Sequence, residues 1–96
     1  MEIYDIGDKV KVFTIFYING VATDPTEIQV EVTNPLGVRT VYIYGTDVEV
    51  ETDGAGSFYM YVYPDKSGDW FYNWIGTGTV HTAEEEGFNV RLRLNI

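Results

Sequence analysis

Hydrolytic or acyl-transfer chemistry needs a nucleophile beside a base, and this chain offers one histidine, His81, and two serines, Ser57 and Ser67. Neither serine sits in a nucleophile-elbow pattern, and His81 stands between Val80 and Thr82 in a stretch that reads as a loop. A lone loop histidine without a motif is ordinarily a surface residue, so no catalytic residue is assigned. The chain has no cysteine, which removes thiol nucleophiles, zinc-thiolate sites and disulfides and suits assembly in a reducing compartment. Carboxylates are abundant: Asp47, Glu49, Glu51 and Asp53 alternate along an expected strand face, and Glu84, Glu85 and Glu86 form a run. Calcium wants six to eight oxygens in a compact loop, and neither set matches an EF-hand or another dense Asp-rich loop. A solvated acidic face that discourages edge-to-edge pairing accounts for them, so no metal and no cofactor is expected.

The rings are the more informative residues. Eight of the fifteen aromatic residues fall within SFYMYVYPDKSGDWFYNW, residues 57 to 74. A half-buried strand needs apolar side chains on one face only. With Phe58, Met60 and Val62 pointing inward, Tyr59, Tyr61 and Tyr63 point out. With Trp70, Tyr72 and Trp74 inward, Phe71 and Ile75 point out, and Phe13, Ile15 and Tyr17 form a third outward set. Exposed aromatic patches of several hundred Å² mark interaction sites, and tyrosine suits them because its hydroxyl tolerates water. If their strands are neighbours, Tyr59, Tyr61, Tyr63, Phe71, Ile75, Phe13, Ile15 and Tyr17 make one contiguous partner-binding patch. The alternative is that the first residues of the chain fold over it.

The elements that would carry these rings are short alternating runs separated by turn residues, with no long 3.6-residue periodicity. Lys9 to Ile18 alternates Val10, Val12, Thr14, Phe16 and Ile18 against Lys9, Lys11, Phe13, Ile15 and Tyr17, and ends at Asn19-Gly20. EIQVEVT places Ile28, Val30 and Val32 inward. Asn34-Pro35-Leu36-Gly37 then reads as a turn into a hairpin partner, Val38 to Tyr44. TDVEVE reads as a further short strand with Val48 and Val50 on one face, closed by Asp53-Gly54-Ala55-Gly56. SFYMYVY and WFYNWIG follow, joined by Pro64 to Gly68. TGTVHTAEEE reads as a loop with an edge strand around Thr79 to Thr82, and Gly87 to Ile96 as the last strand with Phe88, Val90, Leu92, Leu94 and Ile96 inward. About seven one-faced strands bury best as two packed antiparallel sheets, an immunoglobulin-like or fibronectin-like β-sandwich, with tryptophan bulk where an antibody domain has a disulfide.

Ninety-six residues make a single domain, residues 1–96, with 1–7 as an N-terminal arm. No run approaches the ~20 apolar residues of a membrane span, and MEIYDIGDK lacks the basic start and apolar run of a signal peptide. Fifteen acidic residues against six basic ones give a net charge of −9, which repels phosphate backbones and anionic lipid, so neither nucleic acid nor membrane is an expected partner.

Several local sequences belong together: YDIGDKVKV, DPTEIQVEVTNPLG, GAGSFYMYV, and KSGDWFYNWIGTG followed by AEEEGFNV. In combination they resemble small immunoglobulin-like proteins encoded among the structural genes of tailed bacteriophages, over about Tyr4 to Val90. The matched positions, Asp24, Pro25, Pro35, Gly37, Gly68, Trp70, Trp74 and Phe88, look like fold determinants and transfer no functional site. The resemblance implies a non-enzymatic virion part assembled in the host cytoplasm: a capsid decoration or cement protein bound to the major capsid protein, or a head-tail or tail accessory protein bound to another virion protein. Self-association into a homo-oligomer is compatible with either. A carbohydrate-binding module is the competing reading, since sandwiches present rings to sugar faces, but such modules favour exposed tryptophan and both tryptophans here share the expected core face.

Overall fold

The computed structural model describes residues 2–78 and 82–91 and is all-β, with ten strands and no helix among them. The strands are β1 (Glu2–Asp5), β2 (Val10–Ile15), β3 (Tyr17–Ile18), β4 (Val21–Ala22), β5 (Glu27–Thr33), β6 (Arg39–Ile43), β7 (Glu51–Gly54), β8 (Ser57–Val62), β9 (Gly68–Thr77) and β10 (Thr82–Arg91). They form a five-stranded sheet in the order β1-β10-β9-β5-β6, a three-stranded sheet in the order β2-β8-β7, and the small ribbon β3-β4. All pairings are antiparallel except β1 with β10, so the larger sheet is mixed. Residues Glu2–Asp5, expected as an arm, are therefore a strand of that sheet, paired with β10 rather than with β2 or β8.

Strict alternation sets which side chains meet. Val10, Val12, Phe58, Met60 and Val62 from the three-stranded sheet and Ile28, Val30, Val32, Trp70, Trp74, Phe88 and Val90 from the five-stranded one form a single buried cluster, an arrangement consistent with a β-sandwich. Each such side chain contributes about 1.5–3 kcal/mol by leaving water. Trp70 stacks on Phe88 with ring planes 7° apart, and its indole N–H donates to the Lys66 carbonyl at 3.0 Å, which ties the start of β9 to the turn before it. Tyr72 packs at the margin of the cluster.

Turn chemistry fixes the registers. Asn19 and Gly20 both have positive φ, 50° and 81°, as a two-residue type I′ hairpin requires, and they join β3 to β4. In Asn34-Pro35-Leu36-Gly37 the Gly37 N–H donates to the Asn34 carbonyl at 2.9 Å. The Asn34 carboxamide oxygen accepts from the N–H groups of Leu36 and Val38 as well, which satisfies three backbone donors within one turn.

Three further expectations are corrected. TDVEVE is not a strand: the chain turns at Gly45, the Asp47 carboxylate accepts the Ile43 N–H at 2.7 Å, and Val48 is 89% exposed while Val50 is buried. The carboxylate ladder from Asp47 to Asp53 is accordingly broken, with Asp47 in a turn and only Glu51 and Asp53 on β7. TGTVHTAEEE is not wholly a loop, because β10 begins at Thr82 and pairs with β9 from Gly76 onward. Residues 79–81, including His81 and most of the edge strand expected there, and the inward set Leu92, Leu94 and Ile96 lie outside the described residues.

Candidate functional site

The outer face of the three-stranded sheet gathers half of the expected patch. β2 and β8 pair so that Phe13 lies opposite Tyr59 and Lys11 opposite Tyr61, with Ile15 opposite Ser57. These residues alternate with Val10, Val12 and Thr14, and with Phe58, Met60 and Val62, all of which are buried, so the pleat forces the rings outward. Phe13 is 60% exposed, Ile15 is exposed, and Tyr59 and Tyr61 are half-buried against one another in an edge-to-face contact with centroids 5.8 Å apart. Tyr17, two residues past the end of β2, is exposed on the separate β3–β4 ribbon.

Two lysines organise these rings. The Lys9 ammonium lies 4.2 Å from the Tyr61 ring centroid, and the Lys11 ammonium lies 4.7 Å from Tyr59 and 5.9 Å from Phe13. Such cation–π contacts are worth about 0.5–1 kcal/mol when exposed, enough to hold ring orientation without closing the face to a partner. The other described cations are neutralised by carboxylates: Arg39 by Glu31, Lys66 by Asp65, and Arg91 by Asp5 at 2.6 Å. Among the described residues, Lys9 and Lys11 are the cations with no carboxylate partner. On the other flank Glu51 of β7 sits opposite Tyr59. Its negative charge, with partial burial and the neighbouring Tyr61 and Asp53, holds the Tyr59 phenol above its ordinary range. The face is thus ordered in charge, positive along β2 and negative along β7, with rings between.

Phe71 and Ile75 do not join it. β9 belongs to the five-stranded sheet, so both point from the opposite side of the molecule. Phe71 has a folding task there: it faces Gly87 across the β9–β10 pair, and a Cβ built on Gly87 would lie 3.0 Å from the Phe71 ring. The ring covers the strand backbone where a side chain is missing, the aromatic rescue of a glycine. Tyr63, past the end of β8, is exposed and lines with Tyr61 and Tyr42 a separate cleft of about 460 Å³ between β6 and β8. The expected single patch therefore resolves into a core of Phe13, Ile15, Tyr59 and Tyr61, with Tyr17 on the β3–β4 ribbon, Tyr63 at the separate cleft, and Phe71 and Ile75 on the other sheet. Lys9 and Lys11, which alternation puts on the same face, are candidate residues missing from the sequence-based set.

Both tryptophans are buried, Trp70 at 7% and Trp74 at 1% exposure, so neither offers a ring to a sugar. Among the described residues no three His, Cys, Asp or Glu side chains converge as metal ligands, and no helix is long and apolar enough to cross a membrane. No protein-family model matches the chain, and neither a curated protein nor a solved structure does.

Proposed function

We propose that this chain is a non-enzymatic immunoglobulin-like docking domain of a phage virion, a capsid decoration or cement protein that holds the assembled shell through the outer face of its three-stranded sheet. The observation that carries the docking role is the adjacency of Phe13, Tyr59 and Tyr61 on an exposed sheet face where solvation alone requires no rings. Strand order supports the immunoglobulin-like reading: β2-β8-β7 corresponds to B-E-D, and β10-β9-β5-β6 to G-F-C-C′. The virion setting rests on the resemblance of the DPTEIQVEVTNPLG, GAGSFYMYV and KSGDWFYNW segments to phage structural proteins.

A modest patch suffices for this work. Many copies arrayed on one symmetric shell gain avidity, so each contact can be weak alone. The net charge of −9 keeps free copies apart before assembly, while the docking face is positive along β2, at Lys9 and Lys11, and negative along β7, at Glu51. Co-sedimentation of the purified protein with shells of the parent phage tests the proposal. Saturable binding in many copies per particle, lost in a Phe13→Ser/Tyr59→Ser variant that stays folded, is the expected result. A few copies per particle would place the protein at the head-tail junction or tail instead, and no binding would remove the virion role.

A further inference from the structure

The three-stranded sheet ends at β2. In the order β2-β8-β7, β8 occupies one edge of β2, and among the described residues no strand pairs with the other. Alternate residues of Val10–Ile15 thus turn their backbone N–H and C=O groups toward an edge that no described strand pairs with. Beside that edge runs a cleft of about 530 Å³ between the two sheets, walled by Val10 and Val12 on one side and by Tyr4, Tyr72 and Phe88 on the other. A free edge next to a cleft with apolar side chains among its mixed walls is a combination that accepts an added strand: backbone hydrogen bonds give affinity, and alternate side chains enter the cleft.

Charge decides what that strand must carry. Lys9 and Lys11 stand on the outer face of β2 and are the described cations without a carboxylate. Antiparallel pairing of two copies centred on β2 would set Lys11 opposite Phe13 or Ile15, so a second copy supplies neither lysine with a carboxylate. Glu86, the carboxylate at the cleft, already accepts the Tyr72 hydroxyl at 2.8 Å. We propose that the free edge of β2 is a strand-addition site for an extended segment of a partner protein, with apolar residues at alternate positions entering the cleft and carboxylates between them facing Lys9 and Lys11. The inference rests on the edge, the cleft and the lysines, and stands whether or not the partner belongs to a virion.

The probe is a synthetic peptide of alternating Glu and Val, matched in length to β2, compared with the same peptide carrying Lys for Glu. Amide chemical shifts and hydrogen exchange of the isotope-labelled protein report where each binds. The expected result is slowed exchange confined to Val10–Ile15, no response to the Lys peptide, and affinity that falls with salt. A Lys9→Glu/Lys11→Glu variant, altered only at exposed side chains, should bind the Glu peptide about tenfold more weakly and gain affinity for the Lys peptide. Equal binding of both peptides, protection at β6 rather than β2, or no binding at all would overturn the proposal and leave the lysines as guards against edge pairing.

Discussion

Replacing each tryptophan in turn by phenylalanine separates ring burial from hydrogen bonding, because the two indole N–H groups meet different surroundings. Trp74 is the more deeply buried, yet its Nε1 finds no hydrogen-bond partner among the described residues, whereas Trp70 donates to the Lys66 carbonyl. Both substitutions delete the same atoms, and the lost transfer and cavity energy is about 1–2 kcal/mol, a fraction of the 3–5 kcal/mol of a full truncation to alanine. Trp70→Phe loses a further ~1 kcal/mol with its hydrogen bond, for a total of about 2–3 kcal/mol. Trp74→Phe removes an unsatisfied buried donor whose desolvation costs about 1–3 kcal/mol, and the two effects offset to a net cost of about −2 to +1 kcal/mol. Against a total stability of roughly 5–14 kcal/mol for a chain this long, the difference is easily measured. Urea unfolding followed by far-ultraviolet circular dichroism, with an unchanged m-value, is the assay. The reasoning is refuted if Trp74→Phe proves the costlier substitution.

Other perturbations probe the turns and the ringed face. Gly56→Ala should cost at least ~2 kcal/mol in the same assay: its φ is +74°, and an added Cβ would meet the Phe16 carbonyl oxygen at 2.6 Å and the Thr23 nitrogen at 2.7 Å. Tyr59→Ser/Tyr61→Ser should change the denaturation midpoint little while weakening docking; loss of the fold would mean the faces are reversed. Glu51→Gln should lower the titration midpoint of the Tyr59 phenol, followed by ultraviolet absorbance, because the carboxylate opposite is the first cause of its raised pKa. The sign for stability follows. With the folded pKa raised, the folded state keeps its full stability below the ordinary tyrosine value of about 10 and loses some as pH rises through the raised one. The Glu51→Gln variant should show less of that alkaline loss.

Strands with one buried face were legible because alternation and burial coincide. In β5, EIQVEVT runs from Glu27 to Thr33 with Ile28, Val30 and Val32 buried, and Asn19-Gly20 announces the hairpin it makes. TDVEVE alternates just as well and is not a strand, since the local bond from Ile43 N–H to Asp47 and the turn at Gly45 outweigh a pattern whose Val48 has nothing to pack on. The reverse error occurred at β10. Its first half, Thr82 to Gly87, carries no apolar alternation and is held by pairing with β9 alone, while β1 adds a second partner only from Phe88 to Arg91. The division of the rings between sheets was also hidden. Alternation shows that Phe71 and Tyr59 both point away from the core, but which sheet each strand joins depends on pairings made far apart in the chain, β9 with β5 and β8 with β2.

The central claim is that the ringed face of the three-stranded sheet docks onto a virion. Quantitative mass spectrometry of purified particles assembled from the genome that encodes this chain tests it most directly. The account predicts many copies per particle for the native sequence and a sharp fall for Phe13→Ser/Tyr59→Ser, and the absence of the native chain from intact particles would contradict it.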